Sequence, residues 1–125
     1  MKKKYLSSIL VGMMTFFSIS ANAHAHVKET TPAKNSIVKE LPKQISIKFS
    51  EDLEAAVTKI EVKNLTTGEV VSEKTELGAN KSALVTHLKN QKAKKTIFEV
   101  TWKAVSKDGH TMKGAYVFTV DPSLK

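Results

Sequence analysis

Apolar residues recur at every second position in four separate stretches of this chain. In QISIKF (residues 44–49), Ile45, Ile47 and Phe49 fall on one side, and in KIEVKN (59–64) Ile60 and Val62 alternate with charged residues. The longer TIFEVTWKAV (96–105) groups Phe98, Val100, Trp102 and Ala104, and GAYVFTV (114–120) groups Tyr116, Phe118 and Val120. Successive side chains of an extended chain point to opposite faces, so this period predicts strands with one face on a core. Thr67-Gly68, Leu77-Gly78-Ala79-Asn80 and Asp108-Gly109 supply turn signals between them. The stretch SEDLEAAV (50–57) has room for one helical turn or a loop, and nothing beyond residue 23 supports a long helix. The expected fold is all-β, an antiparallel sandwich or small barrel.

The first residues follow a different pattern. Lys2, Lys3 and Lys4 precede an apolar run from Ile9 to Ile19, and Ala21-Asn22-Ala23 follows with small residues at both positions a signal peptidase reads. This is the layout of a secretory signal peptide. Its apolar core of about a dozen residues is short of the ~20 that a spanning helix needs, which weighs against an uncleaved anchor. Residues 1–23 are therefore expected to be a cleaved leader and 24–125 a single exported domain, periplasmic, soluble after cleavage and monomeric, with His24 as its first residue.

Composition narrows the chemistry. The chain has no cysteine, which removes disulfides, thiolate metal sites and cysteine catalysis. The formal charge of +8 falls to +5 without the three leader lysines, and every basic residue is a lysine. These lysines are scattered and aromatic residues are few, so a nucleic-acid surface is not expected. A solvated basic surface, with at most weak attraction to anionic membrane faces, fits better.

Two places hold candidate ligands. His24 at a free N-terminus offers the α-amine and imidazole Nδ1 from one residue, and an unperturbed α-amine (pKa about 7.7–8.0) yields its proton to a metal at neutral pH. Taken alone, such a terminus is as readily a frayed chain end. In WKAVSKDGHTMKG (102–114), Asp108 and His110 stand two apart, on the same side if the segment is extended. The bland alternative is an Asp-Gly turn followed by an exposed histidine. Together the two places give three nitrogens and one oxygen, a set that suits tetragonal Cu(II). Structural zinc prefers tetrahedral sets that commonly recruit thiolates, absent here.

The chain resembles the CopC family of periplasmic copper-binding proteins, including its YobA-type members, over nearly all of residues 24–125. The resemblance rests on the N-terminal histidine after the leader, Thr31-Pro32-Ala33, IKFSEDLE and, most specifically, WKAVSKDGHTMKGAYVFTV. It implies a Greek-key β-sandwich or barrel of immunoglobulin-like or cupredoxin-like kind, with a Cu(II) site at one end. His24, Asp108 and His110 match the family's ligands, and Glu51 of the Phe-Ser-Glu motif matches a glutamate that lies by the metal in some members. The implied role is a copper carrier or buffer in resistance or homeostasis, beside a membrane copper transporter of the CopD type.

Thr111 stands where many relatives carry proline. The exported chain has one methionine, Met112, whereas a Cu(I) site wants several thioethers, so binding limited to Cu(II) is expected. His87 has no ligand partner at useful spacing and reads as a surface or strand histidine. Two alternatives remain open at this level. His24-Ala25-His26 can wrap Cu(II) through the amine, two deprotonated amides and the third ring, without help from a fold. His24 and His110 can also form the histidine brace of a small copper oxidoreductase, which an anionic ligand such as Asp108 disfavours by stabilising Cu(II) over Cu(I). A non-enzymatic binding protein is the expected outcome.

Overall fold

A computed structural model describes residues 26–54 and 58–125. The expected leader (1–23) and His24 lie outside the described residues. Eight strands follow in order: β1 (Val27–Thr31), β2 (Ile37–Val38), β3 (Gln44–Phe49), β4 (Lys59–Asn64), β5 (Ser72–Leu77), β6 (Ala83–Leu88), β7 (Thr96–Val105) and β8 (Thr111–Val120). They form two four-stranded sheets, ordered β1-β3-β6-β5 and β2-β8-β7-β4. Each sheet contains one hairpin of consecutive strands, β5–β6 and β7–β8, its other pairs joining strands distant in sequence, and all pairings are antiparallel except the short β2–β8 pair. No helix is present among the described residues, and residues 50–54 form an extended loop.

The alternating stretches are strands that turn their apolar side to the space between the sheets. Ile45, Ile47, Phe49, Ile60, Val62, Phe98, Val100, Ala104, Tyr116, Phe118 and Val120 are all buried in one cluster. Phe98 and Phe118 stack at a centroid distance of 5.4 Å, and Phe49 meets Trp102 edge-on at 5.1 Å across the sheets. Trp102 lies over Gly114, its partner on β8, where a Cβ would collide with the indole.

Side chains close one corner between the sheets. Ile60 N–H donates to Thr75 Oγ1 and Val62 N–H to Ser72 Oγ, both at 2.9 Å, so hydroxyls of β5 satisfy the outer edge of β4. An open edge would otherwise invite another chain to pair. The architecture is thus a sandwich bridged at β4–β5 toward a barrel.

The ten-residue strands β7 and β8 pair along their whole length, from Thr96↔Val120 to Val105↔Thr111. This ladder spans about 33 Å at the usual rise per residue. It carries the 106–110 turn at one end, and the β6–β7 loop (89–95) at the other.

Candidate metal centre

The turn that joins β7 to β8 is built by hydrogen bonds of its own residues. Ser106 C=O accepts from Gly109 N–H at 2.9 Å, and His110 C=O accepts from Ser106 N–H at 3.0 Å. Gly109 has φ +88°, the left-handed region that glycine enters without a Cβ penalty. A turn followed by a left-handed glycine is a common way to close a short hairpin. Asp108 and His110 therefore sit on a tight turn, at the place the Asp108-Gly109 signal marks, rather than on an extended segment.

The two side chains meet nonetheless. Asp108 Oδ2 lies 2.9 Å from His110 Nδ1, and His110 N–H reaches Asp108 Oδ1 at 3.3 Å. The Ser106 hydroxyl also donates to Oδ1, and Ser106 is completely buried. Hydrogen bonds from Ser106 and then from His110 hold the Asp108 carboxyl at a pKa of about 2, below its ordinary 3.8. The carboxylate is ionised throughout the neutral range. In the neutral imidazole, donation from Nδ1 leaves the lone pair on Nε2, at the other edge of the ring.

A carboxylate has about four lone-pair directions, so these contacts leave capacity for a cation. An ionised oxygen donor beside a ring nitrogen is the chemistry that a borderline divalent ion such as Cu(II) accepts. The donor set fits copper as far as the described residues extend.

Two further segments are stitched to this end. Leu53 forms a bridge with Ser106, with Glu54 N–H bound to Val105 C=O at 2.8 Å and Lys107 N–H to Asp52 C=O at 3.2 Å. The 50–54 loop therefore runs beside the turn. At its start, Ser50 and His26 exchange two bonds: His26 N–H to Ser50 Oγ and Ser50 N–H to His26 C=O, each 2.9 Å. His26 is thus held at the end of the sandwich that bears Asp108 and His110.

Of the expected ligands, the structure brings Asp108 and His110 together. Glu51 is half-buried in the 50–54 loop, without a hydrogen bond or ion pair among the described residues, and no group of three acidic or histidine donors converges there. His87 is exposed on β6 opposite Gln44. Ser106 is the participant that motif reasoning did not assign; a serine two residues before an aspartate in a hairpin turn is the signal that could have found it.

An eight-stranded, two-sheet domain with an ionised carboxylate–imidazole pair on a hairpin turn and its N-terminal strand tied to the same end has the form of a small metal-carrier module. Residues 27–121 match the CopC domain, and the chain belongs to the CopC domain family. It is 30% identical to the copper transport protein CutJ of Bacillus subtilis over 120 residues, covering 96% of this chain but only 22% of that much longer protein. It is also 30% identical to copper resistance protein C of Escherichia coli, over 87% of this chain and 90% of the relative. The crystal structure of CopC from Methylosinus trichosporium OB3b superposes with a TM-score of 0.71 at 27% identity, covering 82% of this chain and 98% of that one.

Proposed function

We propose that the protein is an exported, non-enzymatic carrier or buffer that binds one Cu(II) through His24, Asp108 and His110. The observation that carries this reading is the Asp108–His110 pair at 2.9 Å, set at the end of the sandwich to which the N-terminal strand is anchored. His24 would add its amine and Nδ1 there, His110 its Nε2 and Asp108 an anionic oxygen. Glu51 would be an axial or outer group, a role supported by the course of the 50–54 loop beside the turn. Relatives named for copper transport and copper resistance support copper as the cargo.

The same anchor speaks against the terminal tripeptide. That wrap needs the deprotonated amide of His26, which here is a donor to Ser50 Oγ. Copper bound in that way would have to break the tie between the N-terminus and the 50–54 loop. A pre-positioned pair avoids that ordering cost.

Delivery to a membrane copper transporter of the CopD type follows from the family reading. The similarity to 22% of a far longer copper transport protein supports it, because there a comparable region is joined to further chain. Periplasmic export through a cleaved leader completes the reading.

The experiment is a Cu(II) titration of the processed protein against one that carries an added methionine before His24. The added residue moves the α-amine out of chelate reach, so affinity should drop sharply. Equal affinity of the two forms would remove His24 from the site.

A further inference from the structure

The end of the sandwich opposite Asp108 and His110 has a distinct surface. Six exposed lysines gather in its loops: Lys39 and Lys43 between β2 and β3, and Lys89, Lys92, Lys94 and Lys95 between β6 and β7. The acidic residues of the loops there are Glu40, Glu69 and Asp121, and Lys95 pairs with Asp121 at 3.6 Å.

Every exposed large aliphatic residue among the described residues lies at this same end. These are Ile37, Leu65, Val70, Ile97 and Leu124, between 38% and 56% exposed. Register places them. Ile37 and Ile97 both pair with Thr119 near the end of β8, and Leu65 N–H bonds to Ile97 C=O. Val70 bridges Lys63, and Leu124 N–H bonds to Asp121 C=O just past β8. Between the lysine loops lies a hollow of about 350 Å³, floored by Leu41, Leu88, Phe98 and Val120.

We propose that this end docks on an anionic phospholipid bilayer. Scattered exposed aliphatics are ordinary, but their concentration at one end together with a lysine excess is not. Lysines favour an anionic headgroup layer, each near the surface adding to the attraction, while their stems lie along apolar ground. The aliphatics come from four separate segments around the end, a layout suited to shallow insertion rather than to one peptide groove. A second copy of this chain would set six lysines against six, and no exposed aromatic is present here to stack on nucleic-acid bases. In this pose the β7–β8 ladder holds the 106–110 turn away from the lipid.

The test is sedimentation of the processed, copper-free protein with phosphatidylcholine vesicles, with or without phosphatidylglycerol at about one lipid in three. Binding should be at least tenfold tighter to the anionic vesicles and should weaken with added salt. The double variant K92E/K94E and the single variant I97D should each lose it at least tenfold, with unchanged circular dichroism. The matched reversal K28E/K113E, near the other end, should bind as the parent does. Absence of binding to phosphatidylglycerol vesicles, equal binding to both lipids, or equal loss in K28E/K113E overturns the proposal. Capture by immobilised polyglutamate without vesicle binding also overturns it, and gives the face to an acidic protein.

Discussion

The Ser106 hydroxyl, fully buried at the top of β7, donates to Oδ1 of Asp108 on the turn above it. The bond reaches from the last bridged position of the sandwich to an exposed carboxylate, and it leaves Oδ2 for His110. Ser106 thus positions Asp108 without facing solvent itself.

Replacing Ser106 by alanine should let the Asp108 pKa rise from about 2 toward 3.8, read by carbon-detected NMR titration of the metal-free protein. Because the folded-state pKa lies below the ordinary value, the stabilisation from these hydrogen bonds is fully present above pH 3.8 and lost as pH falls through about 2. The acid limbs of the parent and the variant should therefore converge near pH 2. Cu(II) affinity should fall on the order of 10-fold, the usual cost of losing a partner that orients a ligand. An unmoved Asp108 titration would remove Ser106 from the site.

Alanine at His110 or Asp108 should weaken Cu(II) by 10-fold or more, on the order seen for damaged metal sites, and alter the copper EPR spectrum. Alanine at His26 should leave both nearly unchanged. The reverse pattern would assign copper to the terminal tripeptide.

Reduction should release the ion. In the proposed site Asp108 would be an ionised ligand, and Met112 is the single methionine beyond residue 23, so nothing soft would remain to hold Cu(I). A competition titration with a Cu(I) chelator under ascorbate should show transfer to the chelator, and polysaccharide incubated with reductant and oxygen should yield no oxidised sugar. Tight Cu(I) retention, or oxidised sugar dependent on His24, would favour the histidine-brace enzyme.

Gly114→Ala should destabilise the domain by about 1–3 kcal/mol, as overpacking does, because the new methyl group meets the Trp102 ring. Thermal unfolding followed by Trp102 fluorescence should show a lower Tm and a changed native emission. A variant matching the parent in both would mean that the indole has another place to rest.

The strands that face one core were legible. QISIKF, KIEVKN and TIFEVTWKAV are β3, β4 and β7 to the residue, and GAYVFTV is the C-terminal part of β8. The remaining strands carry weaker patterns for physical reasons. β1 and β5 are polar sheet edges, with VKETT and SEKTEL burying little. In β6, Ala83 and Leu84 are both buried in succession and Thr86 is a buried polar residue, so alternation fails. β2 has only two residues. At the site, Asp108 and His110 were legible as a pair and Asp108-Gly109 as a turn, but the Ser106 bond was not. Ser106 is buried where it bridges Leu53, a contact from a distant segment that the local pattern does not encode.

The unbroken β7–β8 ladder also insulates. Its length of about 33 Å exceeds three Debye lengths at 0.1 M salt, roughly 10 Å each. A doubly charged ion arriving at the 106–110 turn is therefore screened from the lysines of the 89–95 loop. Free-energy changes at the two ends should add, with no coupling term between them. Loading and unloading of metal would then leave the grip of the far end as it was.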